Sequence, residues 1–517
     1  MEQLGFWKRA EIEPDRLALV DVDETEVTAG ELLSAANRVA NGLVAIGVGR
    51  DDTVAVVMPN SRAMYEVYLG ALQIGAYLTP INHHLVGPEI AYIVEDSDAK
   101  VLIGHERFAD ALIAAAEQIG LAADHRFAIG DVEGFRPFSD LTAGQSDDTP
   151  ADRVSGAAMH YTSGTTGKPK GVKRGRVDAD PSDMGAMFAM FLMMFGIQPE
   201  DDNVHIVGSP LYHTAVLMWS ASSMHLGHPV VLMDKWDGER MLELIDRYRV
   251  TTSHMVPTQF HRMLALPEEV RAKYDCSSTR VMVHAAAPCP VPVKQQMLDW
   301  WGDSIHEYYA ATEGGGTIVS PQEWRERPGT VGKAWAGSAV VIRDDEGDDL
   351  PTGEVGTIWM AMGQAAFEYK DDPEKTAASQ DREGFFTVGD VGFLDDEGYL
   401  FLSDRKIDMI ISGGVNIYPS EIESAFLSNP EIGDVAVFGV PNEDWGEEVK
   451  AVIEPAAGVE AGPAFEARLR TWAETNLASY KRPRTYDFTD DMPRDPSGKL
   501  YKRKLRDPYW EGRDRAI

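Results

Sequence analysis

The chain has 517 residues, 44% apolar and 25% charged, with a net charge of -35 and a sequence pI of about 4.7. That length exceeds one ordinary core, so two or more domains are expected, and the acidic balance argues against nucleic acid and anionic lipid as partners. The two cysteines, Cys276 and Cys289, form no CxxC, which excludes a disulfide framework and a cysteine-rich metal site.

The first residues, MEQLGFWKRAEIEPDR, carry no apolar signal region. The longest apolar stretch, Met184–Ile197, is interrupted by glycine and falls short of the roughly 20 residues that span a bilayer. A cytoplasmic, reduced protein without a membrane span is expected. In chain order, Thr53–Met58 reads as a strand, Arg62–Ile74 as a helix, Lys100–Ile103 as a strand and Phe108–Ile119 as a helix. The Met/Phe-rich helix Met184–Phe195 reads as core. Alternation continues through Val204–Val207, Val230–Met233, Met241–Tyr248, Thr252–Met255, Thr258–Leu266, Val281–His284, Val293–Trp301 and Ile305–Tyr309. Such alternation predicts layered α/β structure with largely parallel sheets, whose ligands bind beyond the carboxyl ends of the strands.

After about Gly337 the pattern changes to short β segments, Ala339–Arg343, Gly356–Met360 and Gly398–Leu402, separated by Gly and Asp. These predict a small antiparallel or barrel-like region. Beyond Asp404 comes a strand, the helix Glu421–Leu427, the strands Val435–Val440 and Val449–Glu454, and the helix Phe465–Asn476. The expected fold class is therefore α/β: a large N-terminal domain of layered sheets with a barrel-like region, residues 1–403, then a small α+β C-terminal domain, residues 404–517.

The densest chemistry lies in Tyr161–Val172, YTSGTTGKPKGV. Gly164, Gly167 and Gly171 let backbone amides approach a phosphate. Thr162, Ser163, Thr165 and Thr166 add hydroxyl donors, while Lys168 and Lys170 add the positive charge that the acidic chain otherwise lacks. The nucleotide-hydrolase pattern GxxxxGK[ST] is not satisfied, because Pro169 follows Lys168. His205, His213, His225 and His228 lack metal-ligand spacing, so no zinc site is expected.

The string resembles the signature loop of the ANL superfamily of adenylate-forming enzymes, which includes acyl- and aryl-CoA synthetases, peptide-synthetase adenylation domains and luciferases. Six further motifs similar to those of that superfamily follow in order: Pro210-Leu211-Tyr212-His213, Tyr309-Ala310-Ala311-Thr312-Glu313, Val388-Gly389-Asp390, Asp404-Arg405 with Asp408, Ser412-Gly413-Gly414-Val415-Asn416-Ile417, and Pro496-Ser497-Gly498-Lys499. The resemblance implies an acyl-CoA synthetase that converts a carboxylic acid and ATP to an acyl-adenylate and pyrophosphate, then passes the acyl group to coenzyme A and releases AMP. It implies nucleotide contacts along Thr162–Lys168, Lys170 and Tyr309–Thr312, ribose contacts from Asp390 and Arg405, and Mg²⁺ held by Glu313 with Thr162. Lys499 is implied as the catalytic lysine of the first half-reaction, His213 as a residue at the acyl pocket, and Gly413–Gly414 as the turn beside the CoA arm. It also implies that the C-terminal domain is mobile and rotates about a hinge near 404–408.

The sequence departs from the pattern at Ala310, where the family has glycine, and at Ile407, where the pivot is usually Asp or Lys. A β-branched Ile407 is expected to stiffen the pivot and unbalance the two half-reactions. Loading of a carrier protein and specialisation for one half-reaction remain the alternative functions. A non-catalytic nucleotide-binding module is disfavoured by the presence of Glu313, Asp390, Arg405 and Lys499. Ala285–Ala287, Met218 and Gly314–Gly316 suggest an apolar acid pocket with small walls, leaving fatty, aryl and polycyclic acids open. A homodimer is also left open.

Overall fold

Strand Thr53–Val57 is buried along its whole length. Val54 and Val56 enter one hydrophobic core, whereas Ala55 and Val57 enter another. A strand buried on both faces reads as an unbroken apolar run rather than an alternating one, and it needs helices on both sides. The computed structural model supplies them. Helices Ala29–Ala45 and Arg62–Leu72 fill the first core, and Gly87–Asp96 and Ala109–Ala116 cover the second.

The structure describes residues 4–162, 169–175, 177–199, 201–362, 367–381, 383–405, 408–413, 415–442, 444–494 and 500–511. The chain divides into two compact units. The first comprises Met1–His254, Pro267–Met282 and Ala365–Ala378; the second comprises Met255–Leu266, Val283–Gln364 and Ser379–Ile517.

In the first unit, six parallel strands run in the spatial order Arg136–Pro137, Arg126–Ile129, Ala99–His105, Thr53–Val57, Tyr77–Pro80 and Ala157–Ala158. A second parallel run joins Thr252–Met255, His205–Val207, Val230–Leu232 and Leu17–Val20, edged by the antiparallel Glu26–Thr28. The core containing Leu19, Val207, Val230 and Leu232 also contains Val54, Leu78 and Val101, so the two helices lie between the two sheets.

The second unit is largely antiparallel. Its run passes through Ser338–Arg343, Gly356–Met362, Asp390–Leu394, Leu400–Arg405, Thr330–Ala334, Gly314–Val319 and Ile305–Ala311. Gly316 donates its amide to Ser338 Oγ at 3.0 Å, and Ser338 Oγ donates to the Ala361 carbonyl at 3.0 Å. The run thus curls back on itself, as the barrel-like expectation required. It begins earlier than the sequence pattern suggested, with the hairpin of Ile305–Ala311 and Gly314–Val319.

The C-terminal portion builds its own core from Ile410, Ile422, Phe426, Val435, Val449, Ile453, Phe465 and Leu469. Strands Ile432–Asn442 and Gly446–Pro455 pair antiparallel, and Thr485–Phe488 adds in parallel. The protein is thus α/β, with a large layered-sheet N-terminal domain and a smaller C-terminal one.

One expectation changes. The Met/Phe-rich helix spans Pro181–Met193 and buries Gly185, Ala189 and Leu192, but Met187, Phe188 and Met190 are exposed. Its apolar residues go round the whole helix, and only one face meets the core. No helix among the described residues is long and apolar enough to cross a membrane.

Candidate active site

The two arms of the signature string are antiparallel strands. His160–Thr162 pairs with Lys170–Arg174, with Lys170 opposite Thr162, Gly171 opposite Tyr161 and Val172 opposite His160. Phe367–Tyr369 extends this sheet on the other edge. The arms of the signature are therefore paired antiparallel strands, in keeping with the failure of the nucleotide-hydrolase pattern, whose glycine loop leads from a strand into a helix. Ser163, Gly164, Thr165, Thr166, Gly167 and Lys168 lie outside the described residues, as does the side chain of Thr162. Lys170 forms an ion pair with Asp372 at 3.4 Å.

His213 is the N-cap residue of helix Thr214–Leu226, and its amide donates to the Pro210 carbonyl at 3.1 Å. Buried Asn60 fixes this loop. Its Oδ1 accepts from the Leu211 amide at 2.8 Å, and its Nδ2 donates to the Ser209 and Met233 carbonyls at 3.1 and 3.0 Å. Rings crowd the same place: Tyr212 lies 4.4 Å from His213 and 5.0 Å from His83, which stacks on Phe108 at 4.6 Å. Burial first, and then the field of His84, depress the His83 pKa to about 4, so His83 is neutral near pH 7. Trp219 on the following helix, less than two turns from His213, packs against Phe191 and Phe195 at 5.7 and 5.0 Å.

In the second unit, Tyr309, Ala310 and Ala311 end the strand Ile305–Ala311, and Thr312 and Glu313 make the turn into Gly314–Val319. Glu313 is only 8% exposed. Ala310 pairs with Gly316 just before the register shift to Ala311, and its φ is not left-handed, so alanine fits without backbone strain. A Cβ at Gly316 would lie 2.1 Å from the Tyr309 carbonyl oxygen, so that position requires glycine. Tyr309 donates its hydroxyl to Asp390 Oδ2 at 2.7 Å. Asp390 opens its strand directly opposite Arg405 in the ladder. The Arg405 side chain lies outside what is described. The two residues implied as ribose contacts thus share one register position.

Beneath this strand sits a polar cluster that sequence reasoning missed. Lys294, Glu307 and His284 are 0%, 5% and 0% exposed. The Lys294 ammonium is paired with Glu307 Oε2, which also lies 3.4 Å from His284 Nε2. Burial lifts the Glu307 pKa above the usual carboxylate range, and Lys294 opposes that rise. His284 immediately precedes Ala285–Ala287, where Ala286 adopts a left-handed φ of 70°. Glu307 lies two residues before Tyr309 on the same strand face.

Gly413 forms the tight turn between Ile410–Ser412 and Val415–Ile417 with φ 59°. Its amide donates to the Trp445 carbonyl at 2.8 Å, and a Cβ there would lie 2.6 Å from the Trp445 ring. Trp445 is 46% exposed, with the Arg484 guanidinium 5.1 Å from its ring centre. An exposed indole seated on the glycine turn is a second feature that sequence reasoning missed; a Trp-Gly pair in the turn between two apolar strands was its one available signal. Gly414, Lys499 and Ile407 lie outside the described residues.

The described residues contain no cluster of three or more His, Cys, Asp and Glu suited to a metal. A single buried carboxylate such as Glu313 fits Mg²⁺ all the same, because Mg²⁺ in phosphate sites takes one or two carboxylates and fills its shell with phosphate oxygens and water.

The AMP-binding enzyme family profile matches residues 6–369, and the AMP-binding enzyme C-terminal domain profile matches residues 421–499. The chain is 32% identical over 517 residues to a long-chain-fatty-acid–CoA ligase of Mycobacterium tuberculosis, covering 98% of this chain and 99% of that one. It is 32% identical over 519 residues to a fatty acid–[acyl-carrier-protein] ligase of Streptomyces coeruleorubidus, covering 98% and 96%. Among solved structures, o-succinylbenzoate CoA synthetase from Bacillus subtilis with its acyl-adenylate intermediate superposes with a TM-score of 0.81 at 26% identity, covering 97% and 98%. On these matches the chain belongs to the ANL superfamily of adenylate-forming enzymes and is an AMP-forming carboxylic-acid ligase.

Proposed function

We propose that this chain is a cytoplasmic, Mg²⁺-dependent acyl-CoA synthetase acting on a hydrophobic carboxylic acid. The observation that carries the reading is the Asp390 carboxylate, held by Tyr309 at a strand end and placed opposite Arg405. A carboxylate so oriented is suited to accept hydrogen bonds from the two ribose hydroxyls of a nucleotide. The other roles are assigned as follows. The signature hairpin, with Thr162 and Lys168, binds the departing phosphates. Glu313 and Thr162 would hold Mg²⁺, which would supply screening between the two anions.

In the first half-reaction a carboxylate oxygen of the acid attacks the α-phosphorus. The bond to the bridging oxygen breaks, and pyrophosphate leaves with the electron pair. Lys499 stabilises the charge that develops on the α-phosphoryl oxygens. In the second half-reaction the CoA thiolate attacks the acyl carbon, and the C–O bond to AMP breaks. Gly413, Gly414 and the adjacent Trp445 line the approach of the thiol arm. The two halves need different groups at one place, which domain rotation about residues 404–408 supplies. The boundary at 403/404, between the matched segments 6–369 and 421–499, is part of this proposal. The aromatic cluster of Phe191, Phe195 and Trp219, the last on the helix that His213 caps, is the apolar surrounding that supports an apolar acid.

Acid-dependent ATP–pyrophosphate exchange over a panel of fatty and aryl acids tests the first half. CoA and a holo-carrier protein offered side by side test the second. The carrier arm is included because one relative is a carrier-protein ligase. Exchange is expected with at least one apolar acid, followed by thioester formation on CoA. No exchange with any acid sinks the proposal; a thioester formed only on the carrier replaces CoA as the acceptor.

A further inference from the structure

The helix Gly87–Asp96 carries none of the roles above, yet its last turn touches both arms of the signature hairpin. Tyr161 donates its hydroxyl to Asp96 Oδ2 at 2.7 Å. Tyr92 donates its hydroxyl to the Pro169 carbonyl at 3.1 Å. Tyr92 and Asp96 are four residues apart, so they stand on one face of the helix. One contact therefore grips the arm entering the loop and the other grips the arm leaving it. Pro169 has no amide hydrogen, so its carbonyl is the one backbone group through which it can be held.

The helix is a firm anchor. Ile90, Ala91, Ile93 and Val94 are all buried, and they belong to the core that also takes Ala55, Val57 and Leu102 of the parallel sheet. The Tyr161 ring lies flat across the hairpin, because a Cβ at Gly171 would come within 3.1 Å of it. This gives the third glycine of the signature a packing role. On the opposite edge, the Lys370 amide donates to the Gly171 carbonyl at 2.9 Å, and Asp372 holds Lys170.

Ladder bonds between Tyr161–Thr162 and Lys170–Gly171 fix the arms to each other, and Phe367–Tyr369 with Lys370 and Asp372 holds the far edge. On the near edge the tether comes from the side chains of Tyr92 and Asp96.

We propose that Tyr92 and Asp96 are positioning residues for the phosphate-binding hairpin, tuning affinity for the β- and γ-phosphates of ATP and not for AMP. This rests on the adenylate-forming reading given above. The charge-assisted bond from Tyr161 to Asp96 is the stronger of the two tethers. The Tyr92 bond joins neutral partners and is the weaker.

The test is calorimetric titration of the full chain, and of Asp96→Asn and Tyr92→Phe, with ATP, inorganic pyrophosphate and AMP. Losing a hydrogen bond to a charged group is expected to raise the Kd for ATP and for pyrophosphate about tenfold in Asp96→Asn. Tyr92→Phe loses only a hydroxyl and is expected to raise both about threefold. AMP, which lacks the outer phosphates, is expected to bind within about twofold of wild type. Unchanged ATP binding in both variants overturns the positioning role, and so does AMP binding weakened as much as ATP binding, since that marks a general structural defect. A wild-type chain that fails to bind ATP at all overturns the adenylate reading, and this inference with it.

Discussion

Lys294→Met isolates the energetics of the buried cluster under the Tyr309 strand. Lys294 is 0% exposed and its ammonium lies 4.9 Å from the Trp324 ring centre, so methionine keeps most of the apolar stem and its packing. What is lost is the charge opposite Glu307. A buried carboxylate left without its partner costs about 3–5 kcal/mol, whereas replacing both partners by apolar groups is often neutral. Lys294→Met is therefore expected to lose about 4 kcal/mol at pH 8, and Lys294→Met/Glu307→Leu to recover most of it. The pH dependence has a definite sign. Burial already raises the Glu307 pKa, and losing Lys294 raises it further. A carboxyl with a raised folded pKa favours the fold below its unfolded value near 4.5, and that advantage is lost as pH climbs through the folded value. The variant's deficit relative to wild type must then shrink from pH 8 to pH 5. Amide hydrogen exchange across Ile305–Ala311 reads the local free energy at this strand. A deficit under about 1 kcal/mol at pH 8, one that grows toward pH 5, or a double variant no better than the single one refutes the reasoning.

Three further outcomes are expected. Burial holds His160, His225 and His228 at pKa values of about 4, and His205 and His254 at about 3. Because these folded values lie below the ordinary 6.5, the stability they contribute is complete above pH 6.5 and is lost as pH falls, by about 1 kcal/mol per histidine per pH unit. Urea midpoints should drop steeply between pH 7 and 5.5, and a flat profile refutes this. Tyr309→Phe removes the 2.7 Å bond to Asp390 and is expected to raise the Kd of AMP and ATP alike by about tenfold, unlike the variants of the Gly87–Asp96 helix. Equal AMP affinity in wild type and Tyr309→Phe removes Asp390 from ribose binding. Gly413→Ala places a Cβ 2.6 Å from the Trp445 ring at a left-handed φ, and should slow thioester formation from a preformed acyl-adenylate about tenfold while leaving pyrophosphate exchange intact. Loss of exchange to the same degree counts against a role confined to the second half-reaction.

The sequence disclosed the elements whose pattern is local. Thr252–Met255 and Val281–His284 have the predicted bounds, and the C-terminal helices and strands differ from expectation mainly by added end residues. The 17-residue helix Ala29–Ala45 escaped notice although it is capped by a Thr28–Glu31 box. Its Ala- and Gly-rich face, with Leu32, Val39 and Leu43, packs closely against Arg62–Leu72. Direction along the helix Pro181–Met193 was equally hidden, since a sequence apolar on every side does not say which side meets a core.

At the site, motif order located Asp390, Tyr309 and Glu313 but not their mutual geometry, which depends on strand register. Asp390 and Arg405 face each other across a hairpin whose loop is only 395–399, but their pairing depends on a register that shifts between Val391 and Gly392, which no motif encodes. The same holds for the buried Lys294–Glu307 pair and for the tethers from Tyr92 and Asp96. Each is a contact between side chains that look ordinary in their own segments: a helix lysine, a strand glutamate, a helix tyrosine and aspartate. Short motifs are legible because the chemistry is concentrated in them. The residues that hold a motif in place are spread through the fold and become visible only when it closes. That division also explains why Glu313 and Asp390 come from turns and strand ends. Strand ends leave backbone and side chains open to a ligand, while the paired strand behind them supplies the fixed frame that electrostatic catalysis requires.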